Sequence, residues 1–227
     1  MKKEMVIVSD NHTNYDFEVP APKEDVPSVL IHCGDFSYQG KPDEMIDFRD
    51  WLARQPHTHK LFIWGNHEKI EQQELYWREY LEEVDGVKCL HNTEYTIDGL
   101  KFFGSSFTPT FGRWAFLKDD DQRKRYWEIA PDDVDILVTH GPPFGLLDTV
   151  DGLEIEPGKL EHLGCIHLRK YIERVKPKLA CWGHIHDSGG SIMPLKHWDN
   201  APDTMCVNAS VLNEGYELVR QPIVIEV

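Results

Sequence analysis

The sequence predicts a mixed, layered α/β fold over one domain, residues 1–227. Three observations predict it. Five short apolar runs end in turns rich in Gly, Asn, Asp and His; helical patterns fall between some of these runs; and further strand-like segments follow the last one. A short apolar run bounded by turn residues reads as a buried strand, and helices between such strands suggest βαβ units.

The first run, Met5 to Val8, leads into Ser9-Asp10-Asn11-His12, and the second, Val29 to Cys33, into Gly34-Asp35. Met45, Phe48 and Leu52 then recur at helical spacing until Pro56 closes the segment. The third run, Leu61 to Trp64, reaches Gly65-Asn66-His67-Glu68, and Trp77, Tyr80, Leu81 and Val84 mark a second helix. Tyr95 to Phe103 reads as a hairpin, because Asp98-Gly99 suits a type I′ turn. The fourth run, Ile136 to Thr139, ends at His140-Gly141. A helix marked by Cys165, Leu168, Ile172 and Val175 stops before Pro177, and the fifth run, Leu179 to Trp182, ends at Gly183-His184-Ile185-His186. Met205 to Asn208 and Ile223 to Val227 read as two closing strands. Ligands of open α/β sheets collect beyond the carboxyl ends of the strands, so parallel pairing of the five runs brings their endings to one edge.

Composition narrows the function. The chain is long enough for a large core and carries no run that approaches a membrane span. The apolar stretch near the amino terminus is too short for a secretion signal, and the five cysteines have no metal-type pair spacing, which reads as free buried thiols in a reducing cytoplasm. A net charge of −15 opposes tracking along nucleic acid, whose non-specific affinity comes from Lys and Arg, and leaves small phosphate esters as partners.

Asp10, His12, Asp35, Asn66, His140, His184 and His186 are the candidate metal ligands. They offer oxygen and imidazole donors and no thiolate, which suits Mn²⁺, Fe or Zn²⁺ better than copper(I) or an iron-sulfur cluster. Seven groups exceed what one open ion needs and suit two ions sharing a carboxylate, with Asp35, alone on its turn, as the natural bridge. Asp10 and His12 lie two apart, as do His184 and His186, so each pair projects to one side of an extended strand end.

The series Asp-x-His, Gly-Asp, Gly-Asn-His-Glu, His-Gly and Gly-His-x-His resembles the motif set of the calcineurin-like metallophosphoesterases. Val138-Thr-His-Gly-Pro-Pro143, Gly164-Cys165, Lys176-Pro-Lys-Leu179, Gly104-Ser105, Trp114-Ala-Phe116 and Asn208-Ala-Ser210 more closely resemble the small MPPED-type phosphodiesterases of that superfamily. The resemblance implies a four-layer fold, a β-sandwich of two mixed sheets flanked by helices. It also implies a dinuclear centre, Mn²⁺ first: Asp10, His12 and His186 on one ion, Asn66, His140 and His184 on the other, and Asp35 between them. A hydroxide shared by ions roughly 3.5 to 4 Å apart would attack the ester. His67, with no ligand role in this scheme, would donate a hydrogen bond or proton to a phosphoryl or leaving-group oxygen.

Other residues read more plainly. His32, His57, His59, His91, His162, His167 and His197 are taken as structural, and Asn66 suits a left-handed turn that would present its amide oxygen. Phe111, Arg113 and Trp114, on an aromatic segment with Pro109 and Gly112, are candidates for lining the substrate pocket; a satellite core beneath a surface loop is the plainer alternative. Lys118 and Arg123 to Arg125 are expected on a solvated helix face with Asp119 to Asp121, and Ser188-Gly189-Gly190 in a tight turn.

The leading expectation is a metal-dependent phosphodiesterase acting on a small nucleotide-like diester. A phosphomonoesterase or protein phosphatase is the first alternative. It is disfavoured because Gln39 and Trp64 stand where such phosphatases carry arginines that clamp the dianion. A non-catalytic metal-binding scaffold is the second, and a DNA nuclease fits the acidity poorly.

Overall fold

The computed structural model describes residues 3–24, 26–156, 159–199 and 201–227. One sheet contains β1 (Glu4–Val8), β2 (Ser28–His32), β3 (His59–Phe62), β4 (Val87–Cys89) and β15 (Ile223–Glu226). The other contains β5 (Thr93–Ile97), β6 (Leu100–Ser105), β9 (Ile136–Thr139), β12 (Leu179–Trp182), β13 (Ser191–Leu195) and β14 (Thr204–Asn208). Two-residue strands β7 (Thr108–Pro109) and β8 (Leu117–Lys118) pair with each other, as do β10 (Thr149–Glu156) and β11 (Lys159–His162). The helices are α1 (Pro42–Arg54), α2 (Glu74–Glu82), α3 (Asp120–Ile129) and α4 (Ile166–Val175).

The first sheet runs β15-β1-β2-β3-β4 and the second β13-β14-β12-β9-β6-β5. Both have parallel interiors, β2 with β1 and β3, β12 with β9 and β14, and antiparallel edges at β15, β13 and β5.

Alternation along the strands creates the layers, because successive side chains face opposite ways. Met5 and Ile7 of β1, with Val29, Ile31 and Leu61, meet Ile136, Val138, Leu179 and Cys181 in a core between the sheets. Val6, Val8, Leu30 and Phe62 pack with Met45, Phe48 and Trp51 of α1 and Trp77 and Leu81 of α2. Leu137, Ala180 and Trp182 pack with Trp127 of α3 and Leu168, Tyr171 and Ile172 of α4. The result is helices, sheet, sheet, helices, the β-sandwich expected. Strands covered on both faces read as unbroken apolar runs, which is why the five motif-bearing runs stood out. Asp98 and Gly99 both take positive φ, 48° and 84°, as the type I′ turn between β5 and β6 requires.

Some elements differ from the sequence reading. Lys118 lies in β8, its Nζ over the Phe107 ring, instead of on the helix face. Asp119 caps α3 in a reciprocal box with Gln122. The β10–β11 hairpin was not expected, because its mostly exposed residues leave no buried face to pattern. All five cysteines are buried and free, and among the described residues no helix is long and apolar enough to cross a membrane.

Candidate metal centre

The site forms where β1, β2, β3, β9 and β12 hand their carboxyl ends to tight turns. Asp10, His12, Asp35 and His184 all take left-handed backbone, φ 54°, 41°, 54° and 69°. Such conformations cost a non-glycine residue about 1 to 3 kcal/mol and persist where surrounding contacts impose them. Here the turns hold one another. Asp10 N–H donates to Gly34 O at 3.1 Å and His12 N–H to Asp35 O at 3.1 Å. His184 N–H and the Ser210 hydroxyl each donate to Asp10 Oδ2 at 2.9 Å. The left-handed turn suggested for Asn66 is absent; Asp35, which accepts from His67 N–H at 2.8 Å, takes that conformation instead. Gly65 and Gly183 leave room for the carboxylates: a Cβ at Gly65 would collide with Asp35, and one at Gly183 with Asp10.

The structure brings all seven candidate ligands together. The donor atoms of Asp10, His12 and His186 lie within 4.8 Å of one another, as do those of Asp35, His140 and His184. Asn66 Oδ1 stands 2.9 Å from His140 Nε2. A third group of the same tightness joins His12, Asp35 and His67, so His67 borders the centre directly.

The imidazoles are oriented for a cation. The Nδ1 atoms of His12, His67 and His140 lie 2.9 Å from the carbonyls of Ser37, Tyr38 and Cys33, and that of His186 lies 3.0 Å from the Asn213 carbonyl. A carbonyl only accepts, so each Nδ1 carries the proton and the neutral ring presents a bare Nε2. Without a cation, His140 Nε2, 3.3 Å from Asp35 Oδ2, and His186 Nε2, 3.4 Å from Asp10 Oδ1, hold protons that face those carboxylates, and His12 Nε2, buried, has no hydrogen-bond partner among the described residues. Two buried carboxylates and the Nε2 atoms gathered around an orphaned nitrogen fit divalent cations, which would take the place of the Nε2 protons, and the Nδ1 to carbonyl bonds are the outer contacts that fix metal-binding imidazoles.

Protons divide unevenly over this cluster. Burial opposes charging His140 and His186, but Asp35 beside the first and Asp10 beside the second override it and raise both to about 9. Burial pushes His184 down to about 3 and lowers His12. Burial alone would raise Asp10 and Asp35, yet the hydrogen bond from His186 holds Asp10, and the charge of His140 holds Asp35, below the usual carboxylate range.

A cavity of about 180 Å³ opens over the centre, bounded by Asp35, Asn66, His67, His184 and His186 and walled by Phe111, Trp114, Glu214 and Tyr216. His67 stacks on Trp114, ring centroids 4.2 Å apart and 25° between planes. With Nδ1 directed at the Tyr38 carbonyl, Nε2 is the ring nitrogen that can face the cavity. Arg113 does not line this cavity; exposed, it faces an adjoining one of about 360 Å³ with Lys69. The same loop is also partly core, since Ala115 and Phe116 pack beneath it.

Several residues the sequence did not single out contribute. Glu68 is fully buried, and its carboxylate accepts from Ser37 N–H and Oγ on one oxygen and from Asp35 and Gly65 N–H on the other, at 2.6 to 2.9 Å. It ties the Asp35 turn to the Asn66 turn. Burial, then the charge on Asp35, raise its carboxyl to about 8. Glu68 was visible in the motif without a role; Glu214 and Tyr216 sit on a loop that carries no motif.

Residues 5–188 match the family model described as calcineurin-like phosphoesterase. The chain belongs to that family. Relatives include human Metallophosphoesterase domain-containing protein 1, 35% identical over 244 residues, spanning 97% of this chain and 70% of that protein. A UPF0046 protein of Caenorhabditis elegans is 34% identical over 234 residues, spanning 97% and 73%. TT1561 of Thermus thermophilus, a solved structure, superposes with a TM-score of 0.59 at 14% identity, covering 100% of this chain and 98% of that one, which is a likeness of fold. Calcineurin-like phosphoesterases use divalent metal ions, and membership supports metal-dependent phosphoester hydrolysis.

Proposed function

We propose that this phosphoesterase hydrolyses a small, nucleotide-like phosphodiester in the cytoplasm, using two divalent ions, Mn²⁺ before Fe or Zn²⁺. The observation that carries the diester reading is the charge of the cavity: its described walls include the carboxylates of Asp35 and Glu214 and no Lys or Arg. A phosphomonoester carries close to two negative charges at neutral pH, a diester only one, and the diester needs less neutralisation from the protein. Five free, buried thiols suit a reducing compartment.

Asp10, His12 and His186 would hold one ion, Asn66, His140 and His184 the other, with Asp35 shared. Bound there, the ions would acidify water and neutralise phosphate oxygens. The chain's own residues do the rest. Phe111 and Tyr216 offer aromatic walls to a planar group. Trp114 and the Tyr38 carbonyl hold the His67 ring so that Nε2 can pass its proton to the leaving-group oxygen, a contribution of about 10² to 10⁴ in rate for a positioned acid.

The test compares initial rates on bis(p-nitrophenyl) phosphate and p-nitrophenyl phosphate, with Mn²⁺ and with a chelator. A chelator-sensitive preference for the diester is expected. A monoester preference would move the assignment to a phosphatase, and metal loading without hydrolysis would move it to a scaffold.

A further inference from the structure

We propose that the cavity adjoining the catalytic one is a subsite for a second phosphate on the same substrate, so that the preferred diester carries an additional terminal phosphate, as a phosphorylated dinucleotide does. The proposal rests on the phosphodiester reading of the metal centre.

Two loops build both cavities. The turn after β3 sends Asn66 and His67 into the catalytic cavity and Lys69 into its neighbour; the 107–118 loop sends Phe111 into the first and Arg113 into the second; Trp114 lines both. The loops are pinned together, Ala115 N–H donating to Asn66 O at 3.1 Å and Phe116 N–H to Glu71 Oε1 at 2.9 Å. A group in one cavity is therefore held beside a group in the other.

Their charges are complementary. The catalytic walls carry no Lys or Arg and include Glu214, which would repel a second phosphate placed there. The adjoining walls bring Lys69 and Arg113 and one carboxylate, Glu71, whose Oε1 already accepts from Phe116. Lys69 Nζ is positioned without being neutralised: it donates to Gln39 Oε1 at 2.9 Å and sits 4.2 Å from the centroid of the Trp114 ring. Arg113 makes no ion pair among the described residues. Two cations left unpaired beside a reactive phosphate site suit a second phosphate, with the guanidinium able to take two oxygens at once.

The test uses the full chain with Mn²⁺ and three substrates: thymidine dinucleotide, and the same molecule with a terminal phosphate at its 5′ or its 3′ end. One phosphorylated form should show a kcat/KM about tenfold higher, equivalent to about 1.4 kcal/mol, carried mainly by KM. In a Lys69→Gln, Arg113→Gln double variant that ratio should fall to about one. Equal kcat/KM for all three in the unsubstituted chain, or a preference that survives the substitutions, overturns the proposal. If no dinucleotide is hydrolysed, the diester reading fails, and equilibrium binding in chelator decides the subsite alone. A Kd about tenfold lower for one phosphorylated form, lost in Arg113→Gln, supports it, and equal Kd values overturn it. Arg113-dependent binding of orthophosphate with no discrimination among dinucleotides would assign the cavity to a free anion and also overturn it.

Discussion

Metal binding should expel protons, one from each ion's site. In the proposed centre His186 would share an ion with Asp10 and His12, and His140 with Asn66 and His184; both are raised to about 9, while His12 is lowered and His184 sits at about 3. At pH 7.5 each site therefore holds one imidazolium that must lose its Nε2 proton before that nitrogen can bind a cation. Removing a proton about 1.5 units below its pKa costs about 2 kcal/mol at 1.36 kcal/mol per unit. Affinity should rise nearly tenfold per pH unit per site from pH 6.5 to about 9 and level off above it. The same two groups stabilise the metal-free fold below about pH 6.5, their value in unfolded chains, and that contribution fades as pH climbs through about 9. Calorimetric titration of Mn²⁺ into the chelator-treated protein at pH 7.5, in buffers of different ionisation enthalpy, counts the protons. About one per ion is expected from the imidazoles, and the acidified water would add up to one more per pair of ions. No proton release, or an affinity flat between pH 6.5 and 8.5, would refute the charge assignment.

Glu68→Gln places an amide NH₂ against two donors whichever way it turns, since each carboxylate oxygen accepts two hydrogen bonds; Mn²⁺ affinity by equilibrium dialysis should fall about 10- to 100-fold, as for lost outer contacts of metal sites. His67→Ala should keep its metal and lose about 10² to 10⁴ in turnover on bis(p-nitrophenyl) phosphate; an unchanged rate would remove His67 from the mechanism. His32 is buried as the neutral ring, Nδ1 accepting from Gly34 N–H and Nε2 2.9 Å from Asn11 Oδ1, and burial pushes it down to about 3. Its folded value lies below its unfolded one, so stability falls as pH drops below about 6.5. At pH 5 the penalty is about 2 kcal/mol, so in urea unfolding with chelator the loss of stability from neutral pH to pH 5 should be about that much smaller for His32→Gln than for the native chain, the buried His91 and His184 contributing equally to both.

The strands and the clustering of the candidate ligands were legible in the sequence for one physical reason. Strands buried on both faces leave unbroken apolar runs, and the turns that end them must supply donors, so Asp10, Asp35 and His184 stand at sharp transitions from apolar to polar. Elements lacking that contrast were hidden. β13 contains Pro194, tolerable because it lies on an edge, and follows Gly189-Gly190, so it reads as a loop. Glu214 and Tyr216 reach the cavity through tertiary packing of a loop with no period. Arg113 and Trp114 are neighbours in sequence, yet only the loop's path sends the indole into the catalytic cavity and leaves the guanidinium beside Lys69. Glu68 needed coordinates because its importance lies in four donors drawn from two separate turns.

The central claim is a pair of ions sharing Asp35, and metal stoichiometry tests it most directly. Equilibrium dialysis against Mn²⁺ with elemental analysis should find about two ions per unsubstituted chain, and a loss of bound metal in Asp35→Asn, where the shared carboxylate becomes an amide with one acceptor oxygen. One ion per unsubstituted chain at saturation, or full occupancy in Asp35→Asn, would contradict the account.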